Sequence, residues 1–437
     1  MSGCAGVIVA APLSGSGKTV VTLAILRAFR RSGMRVAGAK AGPDYIDPAF
    51  HAAATGLPSL NLDPWAMRPQ TISASVAAIA RAAELAVCEG VMGLFDGAAG
   101  GKGSTADLAA LTGWPVVLIV DASRQGASAA ALVQGFAHHR NDIRVAAAIF
   151  NRVSSRAHRE AIDAAMIATC PDVPVLGHVP RNAALALPER HLGLVQARET
   201  PALDAFLDGA ADIVAANVDL PRLASLATPA RTHATNESLR PLDPIGARIA
   251  VARDDAFAFC YQALLQGWRD AGAELSFFSV LGGEKPEAFC DAIYLPGGYP
   301  ELHAGKIAAS PALEALRSAA ARGAPIYGEC GGYMVLGKGL TDASGARHAM
   351  AGLLELETSF AERRLHLGYR EVVCEQDSAL AEKGARFRGH EFHYAKTVAE
   401  GNSPLFSACD AAGAALGTAG QKGGSVVGSF VHLVDKA

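Results

Sequence analysis

The chain has 437 residues, half of them hydrophobic, and a formal net charge of -3 at pH 7. This length predicts two or three domains. The near-neutral net charge gives no sign of the basic surface that nucleic-acid-binding or membrane-surface proteins have. No apolar run reaches the roughly 18 residues that span a bilayer, and the N-terminus has no secretory-signal pattern. The eight cysteines form no C-x-x-C pair, which argues against a zinc site or a disulfide framework. We therefore expect a cytoplasmic protein that binds neither nucleic acid nor membrane.

The first chemical motif is a glycine-rich loop between a predicted strand and a predicted helix. The apolar run Val7–Ala11 predicts the strand, and apolar residues at helical spacing from Val20 to Phe29 predict the helix. The loop itself reads Pro-Leu-Ser-Gly-Ser-Gly-Lys-Thr. Pro12 stands where the commonest P-loop class has its first glycine, so the loop departs from that class and still predicts phosphate binding.

Four residues of this loop are candidates for holding ATP. Gly15 and Gly17 let backbone N–H groups approach the phosphates, and the helix N-terminus adds partial positive charge. Lys18 is expected to reach the β- and γ-phosphates, and the Thr19 hydroxyl to ligate Mg²⁺.

A second predicted strand, Arg35–Ala41, runs into Gly42-Pro-Asp-Tyr-Ile-Asp-Pro-Ala-Phe-His51. Its two aspartates lie at the carboxyl end of a strand, where open α/β sheets bind ligands. Asp44 or Asp47 is therefore a candidate for binding Mg²⁺, directly or through water. The alternative for Asp47 is a turn residue or helix N-cap.

A third strand, Leu85–Cys88, ends at Glu89, a carboxylate well placed for a metal or a γ-phosphate. Asp96 follows in a glycine-rich stretch and is either a ligand residue or a plain turn residue. Lys102 and Ser104 lie in the next glycine-rich loop and are candidates for holding substrate carboxylates.

The rest of the first half alternates helices and strands, which predicts a mainly parallel sheet. Asn151, at the end of a strand, is a candidate for pairing with an adenine edge, although a turn role is nearly as good. Residues 221–245 are rich in Pro, Thr, Ser and Asn and predict a linker at a domain boundary. The predicted elements are a helix over 71–83, the strand Trp114–Asp121, a helix to about His139, and the strands Val145–Val153 and Val173–Arg181.

A new α/β pattern begins at Arg248, and its decisive stretch is Ala324-Pro-Ile-Tyr-Gly-Glu-Cys-Gly-Gly-Tyr-Met-Val-Leu336. A strand meets G-x-C-x-G and then a helix, which is a nucleophile elbow with cysteine in place of serine. The turn exposes the sulfur of Cys330, and the helix N-terminus is expected to lower its pKa. The N–H groups of Gly331 and Gly298 are predicted to form an oxyanion hole.

A cysteine nucleophile needs a base. His432, at the end of a strand-like run near the C-terminus, is our preferred candidate, and His390 and His393 are the alternatives.

Six stretches, in this order, resemble the cobyrinic/hydrogenobyrinic acid a,c-diamide synthases of cobalamin biosynthesis over nearly the full length. They are Ser14–Thr19, Gly42–His51, Glu89–Gly97, Leu295–Glu301, Gly328–Gly332 and Gly389–Tyr394.

The resemblance implies an α/β protein with a P-loop-type, mainly parallel sheet domain at residues 1–220, similar to dethiobiotin synthetase. A linker over 221–245 and a class I-type glutamine amidotransferase domain over 246–437 would follow. The implied reaction converts the a and c acetate carboxylates of a corrinoid acid to amides, with ATP, Mg²⁺ and L-glutamine. A homodimer is a further expectation.

The resemblance also implies roles for individual residues. Thr19, Asp44 and Glu89 would hold Mg²⁺, and Cys330 with His432 would hydrolyse glutamine. The class usually has a glutamate two residues after the histidine; Val434 stands there, which favours a Cys-His dyad. The residues implied to position the substrate carboxylate or its phosphorylated form are Tyr45, Ile46, Asp47 and Asp96.

Three other functions compete with this interpretation. Cobyric acid synthases use similar domains on other side chains, and the Asp44–Asp47 block and the domain sizes favour the a,c-diamide enzyme. A relative that amidates nickel sirohydrochlorin is the second. The third is a regulatory P-loop ATPase with a degenerate amidotransferase module, against which the intact G-x-C-x-G argues.

Overall fold

The computed structural model describes residues 5–187, 189–190, 193–194, 196–231 and 239–437. The chain divides into two compact units. The first comprises Met1–Trp65 and Ile72–Glu237, and the second comprises Ala66–Thr71 and Ser238–Ala437.

The first half of the chain alternates strands with helices, as predicted. Its strands are β1 (Ala5–Ala10), β2 (Val36–Ala41), β3 (Leu60–Leu62), β4 (Leu85–Glu89), β5 (Val116–Asp121), β6 (Val145–Val153), β7 (Val175–Pro180), β8 (Glu189–Arg190), β9 (Gly193–Leu194) and β10 (Thr228–Pro229). Its helices are α1 (Lys18–Arg31), α2 (Asp47–Thr55), α3 (Pro69–Ala82), α4 (Thr105–Thr112), α5 (Ser128–His138), α6 (Arg156–Thr169), α7 (Leu203–Asn217) and α8 (Leu220–Leu226).

The main sheet of the first unit is parallel, in the order β3-β2-β4-β1-β5-β6-β7, with β10 antiparallel to β1. Its central strands are apolar on both faces, as in β5, where Val116–Val120 are fully buried. Such continuous apolar runs are typical of a parallel sheet covered by helices on both faces. Because the strands are parallel, the loops after β1, β2 and β4 leave the sheet at one edge, and these loops carry the predicted ATP-site residues.

The predicted linker over 221–245 is wrong at its start. Leu220–Leu226 forms α8, in which Leu223 is fully buried, and Thr228–Pro229 pairs with β1. Burial of an apolar helix face outweighs the turn-forming composition of this stretch. Residues 232–238 of the predicted linker lie outside the described residues.

The second half of the chain begins as an α/β pattern and continues with antiparallel strands. Its strands are β11 (Arg248–Ala252), β12 (Glu274–Phe278), β13 (Ala292–Leu295), β14 (Ile326–Glu329), β15 (Gly339–Thr341), β16 (Arg347–Ala349), β17 (Leu356–Ser359), β18 (His366–Cys374), β19 (Arg386–His393), β20 (Lys396–Glu400), β21 (Pro404–Asp410), β22 (Ala415–Gly423), β23 (Val426–Ser429) and β24 (Val431–Lys436). Its helices are α9 (Gln262–Asp270), α10 (Ala304–Ala308), α11 (Ala312–Ala321) and α12 (Gly331–Leu336).

Ten of these strands form one sheet, in the order β12-β11-β13-β14-β23-β22-β21-β18-β19-β24. The strands from β12 to β23 in that order are parallel, and the others are antiparallel. A smaller sheet has the order β16-β15-β17-β20. Among the described helices, none has both the length and the apolar character needed to cross a membrane.

Candidate active site

The phosphate loop of the first unit has the backbone that its sequence predicts. Gly15 and Gly17 both adopt φ of 81°, in the left-handed region that favours glycine, and α1 begins at Lys18 directly after them. The Lys18 Nζ donates a hydrogen bond to the carbonyl oxygen of Met92 at 2.7 Å. Burial, and then the neighbouring Lys40 ammonium, lower the pKa of Lys18 to about 8. The loop therefore combines close-approach glycines with a buried cation.

Asn151 supports this loop from the end of β6. Its Nδ2 donates to the carbonyl oxygen of Ser16 at 2.9 Å, and its Oδ1 accepts from the N–H of Arg152 at 2.9 Å. A Cβ on Gly17 would lie 2.3 Å from that Nδ2, so the amide occupies the space that a side chain at position 17 would need. Asn151 therefore supports the loop backbone, while its amide has a second N–H and a second lone pair, so the adenine contact stays a prediction.

Glu89 is the centre of a buried cluster beside the loop. Its Oε1 accepts hydrogen bonds from the Thr19 hydroxyl at 2.6 Å and from the Lys40 Nζ at 3.0 Å. Its Oε2 lies 2.8 Å from His51 Nε2. Lys40 also donates to Asp47 Oδ2, so one ammonium joins two of the predicted carboxylates.

The charges in this cluster determine which carboxylates are ionised. Burial alone would raise the pKa of Glu89, but the Lys40 ammonium and His51 outweigh it and lower that pKa. Burial alone would lower the pKa of Lys40, but Asp47 and Glu89 outweigh it and raise that pKa. Burial and the nearby Asp44 raise the pKa of Asp47 well above its usual range. Glu89 and Lys40 are therefore a buried ion pair.

The donor set around the loop fits Mg²⁺. The Thr19 hydroxyl and the Glu89 carboxylate are in direct contact, and Asp44 is close enough to influence the pKa of both Lys18 and Lys40. These three groups offer only oxygen ligands, which Mg²⁺ prefers.

The substrate residues predicted around Asp44 lie at the start of α2. Asp44 Oδ1 accepts the N–H groups of Ile46 at 2.7 Å and of Asp47 at 2.9 Å. The turn-forming role considered for Asp47 thus belongs to Asp44. Tyr45 and Ile46 are half-buried in this same turn.

Two other predicted substrate residues have structural partners. Ser104 is the N-cap of α4: its Oγ accepts from Asp107 N at 3.1 Å, and Asp107 in return accepts from Ser104 N at 3.0 Å. The buried hydroxyl thus accepts a hydrogen bond in this capping box, and because a hydroxyl can also donate its proton, the role of Ser104 as a substrate ligand stays a prediction. Asp96 is exposed and accepts from Gly93 N at 2.9 Å, and Lys102 is exposed.

The second unit contains the predicted nucleophile elbow. Cys330 lies between β14 and α12 with φ of 46° and ψ of -103°, a left-handed conformation that a non-glycine residue rarely adopts. Its Sγ lies 3.8 Å from the carbonyl oxygen of Phe392, to which it donates. A Cβ on Gly331 would lie 3.0 Å from the backbone nitrogen of Gly298. The two predicted oxyanion-hole residues are thus neighbours beside the sulfur.

The pKa of the Cys330 thiol is shifted in the opposite direction to the prediction. Burial, and then Glu301, raise the pKa of Cys330 above its usual range. The helix that follows has only six residues, and its N-terminus does not offset the loss of solvation. The thiol therefore needs a base to remove its proton during the reaction.

His432 lies beside Cys330. A Cβ on Gly297 would lie 2.9 Å from His432 Nε2 and 3.2 Å from Cys330 Cβ, so Nε2 faces the cysteine side of the ring. His390 pairs with His432 across β19 and β24. Burial and His432 lower the pKa of His390 to about 3, which keeps it neutral.

The second alternative base is in an ion-pair cluster. His393 Nε2 lies 2.9 Å from Glu391 Oε1, and Arg370 holds the other oxygen of Glu391 at 2.7 Å. His366 stacks on His393 with ring planes 3° apart, so their in-plane lone pairs do not converge. We assign this cluster a structural role.

Sequence reasoning missed three residues that contact these sites. Lys40 and His51 both lie in the Arg35–His51 stretch, but no motif in the sequence marks either of them. Only the folded structure brings their side chains to Glu89. Glu329 occupies the variable position before Cys330. A charged residue at the end of an otherwise apolar strand was the available signal for both Lys40 and Glu329.

Comparisons with known proteins identify a domain family for each half of the chain. The CobQ/CobB/MinD/ParA nucleotide binding domain matches residues 7–195, and the CobB/CobQ-like glutamine amidotransferase domain matches residues 248–436. A hydrogenobyrinate a,c-diamide synthase of Brucella anthropi is 54% identical over 433 residues, which cover 98% of each chain. One from a Sinorhizobium species is 54% identical over 439 residues, which cover 99% of each chain.

Proposed function

Because the chain belongs to the family of hydrogenobyrinate a,c-diamide synthases, we propose that it amidates the a and c acetate carboxylates of hydrogenobyrinic acid. It is a glutamine-dependent, amide-forming ligase of cobalamin biosynthesis with a nucleotide-binding domain that implies ATP use. The observation that carries the proposal is that Cys330 and His432 are neighbours in a chain that also has a glycine-rich phosphate loop with a buried lysine.

In the first unit, a substrate carboxylate oxygen attacks the γ-phosphorus of ATP in line, and the bond to ADP breaks. Lys18 stabilises the charge that builds up on the transferred group. The product is an acyl phosphate, whose carbonyl carbon is then attacked by ammonia with loss of phosphate. The contacts of Lys18 and of the loop glycines support this assignment.

Thr19, Asp44 and Glu89 are the residues that would hold Mg²⁺. Bound there, the ion would neutralise charge on the phosphates. Lys40 keeps Glu89 ionised and is held between Glu89 and Asp47, so it preserves the negative charge that a cation needs. Tyr45, Ile46, Asp47 and Asp96 remain our candidates for positioning the substrate carboxylate.

In the second unit, His432 Nε2 takes the proton of the Cys330 thiol as the sulfur attacks the glutamine amide carbon. The N–H groups of Gly298 and Gly331 hold the oxyanion. His432 then gives the proton to the departing nitrogen, which leaves as ammonia. Water hydrolyses the remaining glutamyl thioester to glutamate and restores the thiol.

Two variants test the division of labour. We expect Cys330→Ala to abolish amidation supported by glutamine and to retain amidation supported by ammonium chloride at alkaline pH. Lys18→Ala should abolish both, because it acts on the phosphoryl transfer that either nitrogen source requires. Product formation by Cys330→Ala with glutamine at the wild-type rate would contradict the proposed glutaminase site.

A further inference from the structure

Glu329, the residue directly before the nucleophile, is a fully buried carboxylate at the end of β14. It lies next to His432 and is surrounded by hydrogen-bond donors from three strands. A buried carboxylate is costly unless its oxygens are satisfied. Its partners therefore show how it is oriented.

Three donors fix the orientation of this carboxylate. The Tyr327 hydroxyl and the N–H of Leu433, the latter at 3.0 Å, both donate to Oε1. The Tyr294 hydroxyl donates to Oε2 at 2.6 Å. Burial, and then the Glu329 charge, raise the pKa of both tyrosines well above their usual range, so both remain donors.

Oε2 keeps one acceptor position, and that oxygen is the one nearest to His432. A carboxylate oxygen accepts two hydrogen bonds; Oε1 has two donors, and Oε2 has the Tyr294 hydroxyl. His432 Nδ1 lies 3.6 Å from Oε2. This separation is slightly longer than a hydrogen bond, and catalytic hydrogen bonds of free enzymes commonly shorten when substrate binds.

The two ring nitrogens of His432 thus face two different groups. Nε2 lies on the side of Cys330, and Nδ1 lies on the side of Glu329. A carboxylate at Nδ1 fixes the tautomer with Nε2 free to accept a proton, and it stabilises the imidazolium that then forms.

We propose that Glu329 is the positioning residue of the glutaminase site. Its carboxylate orients His432, which the apolar side chain of Val434 cannot do. The inference rests on the proposed roles of Cys330 and His432. The third member of this site then comes from the strand that carries the nucleophile rather than from the position two residues after the histidine. The tyrosine hydroxyls hold the carboxylate in place.

Several charged and titratable groups surround His432 and contribute to the pH profile of this site. Burial and Glu329 raise the pKa of Cys260 to about 12, and burial raises the pKa of Glu301 to about 7. His390 is neutral above pH 3 to 4. The charged and titratable groups on the packed elements include Glu329, Cys330, Tyr327, Tyr294, Cys260, Glu301 and Arg370, together with Arg386, Arg388, His390, Glu391 and His393 of β19.

The test is Glu329→Gln in the full chain, assayed for glutaminase activity and for ammonia-supported amidation. We expect glutaminase kcat to fall, by up to about 10⁴-fold as for a triad that loses its orienting carboxylate, while the ammonia-supported rate is unchanged. The acid limb of the kcat/KM profile for glutamine should move down by about one pH unit. The reason is that the Glu329 charge contributes to the raised pKa of Cys330, after burial and Glu301, and the variant removes that charge.

Two further variants separate positioning from structure. Glu329→Asp keeps the charge, so its acid limb should stay close to that of the wild type although kcat falls. Glu400→Gln is the matched control: Glu400 also accepts from a buried tyrosine hydroxyl, that of Tyr333 at 3.0 Å, and should leave glutaminase kcat unchanged.

Three results would overturn the inference. Glu329→Gln with wild-type kcat and an unshifted acid limb would remove any role in catalysis. Equal losses of glutaminase and ammonia-supported activity, in Glu329→Asp as well, would reduce Glu329 to a structural residue. Retention of glutaminase activity by Cys330→Ala would contradict the proposed function itself and the inference with it. The first result, beside a Cys330→Ala that lacks glutaminase activity but keeps ammonia-supported amidation, would contradict the inference alone.

Discussion

At the scale of single residues, the first unit is notable for a cation that no motif contains. Lys40 is buried and donates to Asp47 and Glu89. It keeps two carboxylates together next to the phosphate loop at the expense of desolvating all three groups. Removing any one of these buried charged groups leaves its partners buried without a counter-ion, which is strongly destabilising.

We predict that Lys40→Met destabilises the first unit by about 3–5 kcal/mol, because it leaves Asp47 and Glu89 buried without their counter-ion. Thermal unfolding of the full chain, followed by calorimetry, measures the change. Arg35→Met is the control, since its pair with Glu84 is exposed and should matter by less than about 0.5 kcal/mol. Equal unfolding temperatures for Lys40→Met and the wild type would contradict the buried ion pair.

A second prediction at this scale concerns acid stability. Burial lowers the pKa of His390 to about 3 from 6.5, so the unfolded chain binds a proton that the folded chain does not. The stability due to neutral His390 is complete above pH 6.5 and is lost toward pH 3, by at most about 1.4 kcal/mol per pH unit. The free energy of unfolding of the wild type relative to His390→Gln should therefore decrease as pH falls from 7 to 4. A pH-independent difference would contradict this assignment.

Single residues are also where sequence prediction was least complete. Lys18, Thr19, Glu89 and Cys330 could be chosen because each stands in a motif whose spacing has a chemical reason, and His432 because a cysteine nucleophile needs a base. The capping role of Ser104 could not be predicted, because a cap and a ligand use the same hydroxyl.

At the scale of elements, the two loops that carry chemistry are shaped by close backbone contacts. In α12, Gly332 packs so tightly on β13 that a Cβ would lie 2.0 Å from the carbonyl oxygen of Leu295. The nearest atoms are backbone atoms and the Cβ of Leu295, so no change of side-chain rotamer can relieve the clash. The elbow therefore depends on a small residue after the nucleophile as well as on the strained φ of Cys330.

We predict that Gly332→Ala destabilises the second unit by roughly 2–4 kcal/mol and displaces Cys330, with loss of glutaminase activity. Alanine normally stabilises a helix relative to glycine by about 0.5–1 kcal/mol. Gly209→Ala in α7, where a Cβ meets nothing within 4 Å, should show this normal gain. We expect calorimetry to show a lower free energy of unfolding for Gly332→Ala and a higher one for Gly209→Ala. A higher free energy of unfolding for both would contradict the close packing of α12 on β13.

Most elements of the parallel sheets could be predicted, and several antiparallel strands could not. The apolar run of β6 has the bounds that the sequence predicts, and β11 begins at Arg248, where the sequence predicts a new α/β pattern, because strands buried on both faces leave a continuous signal. In contrast, every residue of β20 is exposed, so its sequence contains no alternation from which to infer a strand.

At the scale of the whole molecule, the chain order of domains was predictable and one detail was not. The second unit includes residues 66–71, where Arg68 donates to the buried Asp435 at 2.7 Å. Arg68 belongs to no motif, and a boundary drawn from composition alone cannot separate six residues from the middle of a domain. Two domain families matched in sequence order support the proposal of one reaction divided between two units.

The most direct test of this account is a mass spectrum of the product formed by the purified chain from hydrogenobyrinic acid, ATP, Mg²⁺ and glutamine labelled with ¹⁵N in its amide. We predict two carboxyl-to-amide conversions per corrinoid, each containing ¹⁵N, and none when ATP is omitted. Unchanged hydrogenobyrinic acid in a preparation that hydrolyses ATP would contradict the proposed function and favour a regulatory ATPase.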